Sequence, residues 1–255
     1  MYIQIEEVIK AAQAGGEVVK KYFGKALLTE EKSNAGDLRT KADTESEQAI
    51  LAVLRQAFPT FNIYAEESGQ MDNDSEYTFV IDPLDGTSNF VLGIPDFAIS
   101  IGLLKGDVVI LGVIYNPVLD QLFTAEKGKG AFINGRKIHV NAEENIGLAT
   151  VSYTCGYNTT RQYSEGAISR LRDLGTKRIV DHWAPAFDYC LLALGRLEAV
   201  ISKEGDLEDY VAAKLLVTEA GGKITGFDKK PVGGRAPDFV ATNGTVLHEQ
   251  ILAVL

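Results

Sequence analysis

The chain has 255 residues, 45% hydrophobic and 24% charged, which is enough apolar material for one large soluble domain or two packed lobes. A formal net charge of −10 with no basic block excludes a general nucleic-acid binder. Neither Cys155 nor Cys190 sits in a ligand or disulfide pattern, Glu6 and Glu7 stand where a leader would be basic and then apolar, and no uncharged run is long enough to cross a bilayer, so a soluble cytoplasmic protein without a membrane partner is expected.

Taken in order, residues 3–23 are apolar at Ile5, Val8, Ile9, Ala12, Val19 and Phe23, the spacing of an amphipathic helix. Residues 24–43 read as a polar loop ending in "GDLRTKAD". A second helix is expected to open on a capping box at Thr44-Glu-Ser-Glu47 and to stop before Phe58-Pro59. "NIYAEESG" starts as a strand and turns polar at Glu66; "YTFVIDP" is a buried strand ending at Asp82. Residues 97–140 read as a strand meander, with a hairpin turn in "GKGAFING". A loose segment around 141–165 follows, then a helix near 164–174, a strand in "TKRIV", a helix over 185–195, a strand in "LEAVIS", and a helix over 208–220 stopped by Gly221-Gly222. The end reads as a strand, "DFVATNG", and a helix, "TVLHEQILAVL". Interleaved elements around a meander imply layered α+β packing about two sheets, with lobes at 1–140 and 141–255, and disfavour a simple doubly wound sheet.

Four acidic positions share a placement: Asp43, Glu66 with Glu67, Asp82 with Asp85, and Asp209 all lie where an element begins or ends. Taken singly, Asp43 and Asp209 read as helix caps and Glu66-Glu67 as a solvated loop. "DPLDGT" is different. Pro83 stiffens the strand exit, and Asp82, Asp85 and the Leu84 carbonyl offer three hard oxygen donors, a set that suits Mg²⁺. Gly86, Thr87 and Ser88 follow with backbone N–H groups at a short helix start, an anion seat beside the metal donors. The stretch lacks the spacing of an EF-hand, the chain has no P-loop, and His139, His182 and His248 form no ligand set. Phosphoryl hydrolysis is the chemistry that such an arrangement serves.

With "AEES" at 65–68, "DPLDGTSNF" at 82–90 and "EDYVAAKLLVTEAGG" at 208–222, preceded by "GDLRTKAD" at 36–43, the sequence resembles the inositol monophosphatase family of Mg²⁺-dependent phosphatases. The resemblance implies a layered αβαβα fold, homodimers and hydrolysis of small phosphate monoesters. It implies that Glu66, Asp82, Asp85, the Leu84 carbonyl and Asp209 hold two or three Mg²⁺ ions. Thr87 and Glu66 would orient and deprotonate the attacking water, and the Gly86, Thr87 and Ser88 region with Asp85 and Asp209 would surround the phosphate. Thr40, Asp43 and Glu67 would support them or bind a weaker third ion.

Three departures concern the substrate. Glu208-Asp209 stands where the family commonly has Trp-Asp. Trp183-Ala184-Pro185 replaces the small step that usually lines the polyol pocket. Ser202 stands where inositol-specific members carry a glutamate, with Lys203 and Glu204 beside it. The expectation is therefore a phosphatase of inositol 1-phosphate or a related sugar phosphate. Fructose 1,6-bisphosphate, histidinol phosphate and 3′-phosphoadenosine 5′-phosphate are alternative substrates, and a silent regulatory protein or a structural Ca²⁺ site are non-enzymatic alternatives. Trp183 is read either as core or as pocket wall, and both cysteines as packed free thiols.

Overall fold

Helix α1 (Ile5–Tyr22) buries Val8, Ala11, Ala12 and Val19 along one stripe, with Glu6 and Glu7 in its first turn and Lys20 and Lys21 in its last, as the helix dipole favours. It opens the computed structural model of the chain, which describes residues 3–25, 29–31 and 38–255. Gly36 and Asp37 of "GDLRTKAD" lie outside the described residues.

A two-stranded ribbon, β1 (Thr29–Glu31) and β2 (Leu38–Thr40), leads into α2 (Lys41–Ala57). This helix begins three residues before the expected Thr44. The Thr40 hydroxyl caps it by accepting from Ala42 N–H at 3.0 Å, and Asp43 reaches back to Thr40 N–H at 2.8 Å. Glu47, expected in the cap, accepts instead from Glu67 N–H at 2.8 Å. Two overlapping cap patterns stand in the sequence, and the upstream one fits because Thr40 ends a strand with extended backbone.

The first large sheet contains β3 (Asn62–Ala65), β4 (Gly69–Met71), β5 (Tyr77–Asp85), β6 (Ala98–Lys105), β7 (Val108–Asn116), β8 (Gln121–Glu126), β9 (Gly130–Ile133) and β10 (Arg136–Ile138), with the short α3 (Thr87–Leu92) after β5. Its order is β10-β9-β8-β7-β6-β5-β3-β4, antiparallel except for β3 beside β5. The second sheet contains β11 (Thr150–Cys155), β12 (Arg178–Val180), β13 (Ala199–Lys203), β14 (Lys223–Thr225) and β15 (Phe239–Thr242), ordered β12-β11-β13-β15-β14. Its helices are α4 (Arg161–Asp173), α5 (Pro185–Ala193), α6 (Leu207–Glu219) and α7 (Leu247–Leu252).

The layers follow from strand parity. In β6, Ile99, Ile101 and Leu103 join the core beneath α1 and α2, while Ala98 and Leu104 face the core around α5 and α6. A third core packs the second sheet against α4 and α7. Helices α1 and α2, the large sheet, α5 and α6, the second sheet, and α4 and α7 thus stack as the αβαβα sandwich expected. Strand β11 lies in the segment expected to be loose. "TVSYTC" does alternate polar and apolar residues, but it is short and follows a polar stretch; Val151 and Tyr153 enter the core on one face, and Ser152 and Thr154 are buried and hydrogen-bonded on the other.

One close approach fixes the middle layer. Gly102 of β6 and Gly112 of β7 are cross-strand partners, and α6 lies directly on them. A Cβ on Gly102 would come within 2.5 Å of Val211 Cγ1, and one on Gly112 within 2.7 Å of the Ala212 carbonyl. Ser100, on the same face of β6, donates to the Glu208 carbonyl at 3.0 Å and so pins the first turn of α6. The opposite end of this layer is tied by the Lys214 ammonium. It donates to the carbonyls of Gly233 (3.0 Å), Gly234 (3.3 Å) and Ala236 (2.7 Å) between the Tyr210 and Phe239 rings, and burial draws its pKa down to about 7.

Gly112→Ala should lower unfolding free energy by about 1–3 kcal/mol, because the clash is with helix backbone that cannot rotate away. Urea denaturation reads the loss, and an unchanged midpoint would contradict this seat for α6.

Candidate active site

The β5–β6 register explains how "DPLDG" works. Asp82 pairs with Ser100, but Asp85 pairs with Ala98, so β5 takes three steps where β6 takes two. In a regular strand, two residues three apart point to opposite faces. The extra residue of this bulge resets the phase and turns both aspartates onto the face that carries α6. Pro83, which donates no ladder hydrogen bond, sits inside the bulge, and its carbonyl accepts from Ser46 of α2 at 2.9 Å. The expected strand end at Asp82 is therefore three residues short, because the sequence pattern does not announce a bulge.

Asp209, in the first turn of α6, completes the cluster: one carboxylate oxygen from each of Asp82, Asp85 and Asp209 lies within 4.8 Å of the others. Asp82 and Asp85 are buried and Asp209 is partly buried. The three carboxyl pKa values stand well above the carboxylate range, because burial disfavours the charged form and neighbouring carboxylates add repulsion. For Asp82 the strongest neighbour is Glu66, for Asp85 it is Asp188, and for Asp209 it is Asp85. An all-oxygen, crowded, anionic donor set fits a hard divalent cation.

Local groups hold Asp82 and Asp85. Asp82 Oδ1 accepts from Leu84 N–H at 2.8 Å. Asp85 Oδ2 faces the N-terminus of α5, accepting from the Phe187 N–H at 3.4 Å and from the Ala186 N–H. Since the α5 cap residue, Ala184, offers no side-chain oxygen, Asp85 serves from across the layer as its acceptor. Behind this helix turn, buried Asp188 accepts from Ser152 Oγ at 2.6 Å and pairs with His182 Nδ1, which raises the His182 pKa. Neither Asp188 nor this chain was legible in the sequence, where Asp188 read only as part of a helix.

Gly86 turns the chain with φ at +86°, and a Cβ there would meet Ala184 Cβ at 2.9 Å and the Asp96 carbonyl at 3.0 Å. Thr87 follows, its Oγ1 2.8 Å from Asp43 Oδ1 and 3.0 Å from the Leu84 carbonyl. Asp43 Oδ2 takes the Thr40 hydroxyl at 2.6 Å. The expected residues Thr40, Asp43, Leu84 and Thr87 therefore form one hydrogen-bonded run. Glu67 anchors from the side through Arg39 at 3.4 Å.

A cleft of about 820 Å³ opens over the cluster, bordered by Glu66, Ser88, Trp183, Pro185 and Ser202 from the sequence reading, and also by Tyr153, Tyr157, Asp181, Glu204 and Asp206. Ser202 is buried and donates to the Pro237 carbonyl at 2.9 Å, and Lys203 turns away to Asp238 at 2.8 Å. Ala184 is buried against Gly86 beneath the rim. Trp183 is not core: it is 59% exposed at the rim, with φ at +56°. A bulky residue in that left-handed region costs on the order of 1–3 kcal/mol. Cys190 is buried as expected, but Cys155 is exposed and borders the cleft.

Residues 4–255 match the family model described as the inositol monophosphatase family. The chain belongs to that family. It is 35% identical over 258 residues (99% of this chain and 94% of the relative) to a protein of Aquifex aeolicus named fructose-1,6-bisphosphatase/inositol-1-monophosphatase. It is 32% identical to the inositol-1-monophosphatase of Synechocystis, covering 98% of this chain and 88% of the relative. Among solved structures it superposes on the extragenic suppressor protein SuhB of Bartonella henselae with a TM-score of 0.91 at 30% identity, covering 98% and 97% of the two chains. An IMPase of Thermotoga maritima gives 0.89 at 29%, covering 98% and 95%. The family membership makes the chain a phosphomonoesterase. Among the described residues no helix is long and apolar enough to cross a membrane.

The carboxylate cluster gives a pH signature with a definite sign. Raised pKa values mean that the folded state keeps protons that the unfolded chain has released above pH ~4, so these groups lower stability as pH rises. In EDTA at neutral pH, Asp85→Asn should be about 1–3 kcal/mol more stable than wild type, with the gap closing toward pH 4. Added divalent cation should raise the wild-type melting temperature more than that of the variant. Melting curves across pH test both statements; a variant less stable in EDTA at neutral pH would contradict the repulsion.

Proposed function

We propose that the chain hydrolyses a small phosphate monoester, inositol 1-phosphate or a related sugar phosphate, in a Mg²⁺-dependent reaction. The observation that carries this reading is the placement of the Asp82, Asp85 and Asp209 cluster beside the Thr87–Asp43 pair at the floor of one cleft. Glu66, Asp82, Asp85, the Leu84 carbonyl and Asp209 would hold two or three Mg²⁺ ions. When bound, Mg²⁺ supplies Lewis acidity toward phosphate oxygens and lowers the pKa of water.

The chain's own residues divide the remaining work. The Thr87 hydroxyl has one proton, and its shorter contact is to Asp43. With that proton committed, Thr87 Oγ1 acts as acceptor toward water and turns a water lone pair toward phosphorus. Glu66 accepts the proton that the attacking water loses. Thr40 holds Asp43 on its other oxygen, so the Thr87 rotamer is set from α2. The Gly86, Thr87 and Ser88 segment receives the phosphate, and Asp209 lies toward the leaving oxygen. Trp183, Ala184, Pro185 and Ser202 border the leaving group. The dual name of the Aquifex aeolicus relative supports sugar phosphates beside inositol 1-phosphate as a class of substrate, and the rim of this chain's own cleft decides which of them it takes. The reading includes a cytoplasmic homodimer, which sedimentation of the purified chain tests.

Phosphate release from inositol 1-phosphate should require Mg²⁺ and vanish in EDTA. Thr87→Val should lower kcat about 100-fold or more, whereas Thr87→Ser should retain most of it. Full turnover by Thr87→Val would remove the hydroxyl from the mechanism.

A further inference from the structure

Trp183 combines three features that packing does not require. Its backbone is held in the left-handed region, it is 59% exposed, and its backbone N–H and side chain lie close enough to the Asp181 carboxyl to act on it. The strained backbone and the nearby Asp181 carboxyl set an aromatic face at the rim of the cleft, which Pro185 and the exposed Tyr157 also line. A solvent-exposed ring held in this way is preorganised for contact with a ligand face.

The charge of the cleft limits what that ligand carries. Beyond the cluster, Asp181, Glu204 and Asp206 line the opening, and among the described residues that border it there is no lysine, arginine or histidine. Among the basic residues next to lining positions in the sequence, Lys203 is engaged by Asp238 and Glu204 and His182 by Asp188. A first phosphate has the carboxylate-held cations to meet, but a second anionic group would face carboxylates with no cation beside it among the described residues that border the cleft.

We propose that Trp183 is a specificity-determining platform. It stacks on a flat-faced ring of the leaving alcohol, and the cleft selects monophosphates whose ring is neutral or cationic over bisphosphates. This rests on the phosphatase reading for its substrate, but not for the platform itself. Indole faces favour cations and ring faces alike, so histidinol phosphate and inositol 1-phosphate both belong to the selected class. Fructose 1,6-bisphosphate does not.

The test compares wild type, Trp183→Gly and Trp183→Phe. Glycine suits a φ of +56°, so Trp183→Gly should fold with an unchanged or higher melting temperature. It should raise KM for inositol 1-phosphate and histidinol phosphate about five- to tenfold, with kcat within about twofold and glycerol 2-phosphate, which has no ring, unaffected. Trp183→Phe should stay within about threefold of wild type on the ring substrates. Wild type should hydrolyse fructose 1-phosphate at least about tenfold more efficiently than fructose 1,6-bisphosphate. Equal kinetics of Trp183→Gly and wild type on the ring substrates, an equal loss on glycerol 2-phosphate, or a preference for the bisphosphate would overturn the proposal. Because Trp183 is the only tryptophan in the chain, its emission reports the platform without turnover. If no compound releases phosphate, the phosphatase reading fails, and titration with histidinol decides the platform: a saturable change in emission upholds it, and none overturns it.

Discussion

Mutual repulsion among buried carboxylates is the constraint around which this molecule is arranged. Asp82, Asp85 and Asp209 place oxygens within 4.8 Å of one another, with Glu66 and Asp188 adding negative charge from either side. Such a cluster works against folding unless a cation or protons neutralise it. The surrounding elements therefore have to hold charges together that would otherwise separate. Each does so by a short-range device: a bulge with proline at its centre, a helix N-terminus aimed at Asp85, and a helix seated on two facing glycines.

These devices are geometric before they are chemical. The bulge in β5 converts a spacing that would divide two aspartates between faces into one that joins them. The Gly102–Gly112 pair lets α6 settle against the sheet so that its first turn, held by Ser100, carries Asp209 to the same face. From the other side of the sheet, α2 supplies Asp43 to Thr87 and Ser46 to the Pro83 carbonyl, so the segment after the bulge is gripped from both layers. The rim follows a different logic. There Trp183 and Cys155 are exposed, and the residues that border the opening come largely from the strands and loops of the second sheet.

Much of this was legible in the residues. The layered sandwich could be read from the meander and the helices after it, and "DPLDGT" declared oxygen donors because two carboxylates and a proline have little use in a buried strand. Asp209 was legible from its own surroundings only as a helix opener; that it joins Asp85 came from the family resemblance, since the approach depends on small residues in two distant strands. The cap at Thr40 was read one turn too late because Thr44 and Glu47 repeat the same pattern. Strand β11 carried a period-2 pattern in Thr150-Val-Ser-Tyr-Thr-Cys155, but the polar residues before it masked so short a signal, and its hydroxyls turn out to be buried and hydrogen-bonded rather than solvated. The Asp188 chain behind α5 was invisible for a similar reason: a buried carboxylate announces itself through its partners, and Ser152 and His182 are remote or unremarkable in sequence.

The seating of α6 also bears on the order in which the molecule is built. Both β5 aspartates and the glycine pair belong to the large sheet, whereas Asp209 arrives only after β11, α4, β12, α5 and β13 have been synthesised. Its closure against β6 and β7 is a long-range contact of the kind that slows folding, since the intervening chain must be ordered first. An emerging chain thus offers two carboxylates but not the third. A cation that requires all three discriminates between a finished molecule and a partial one, so its binding free energy falls on the last-assembled contact and makes completion of the fold, rather than any single sheet, the state that is retained.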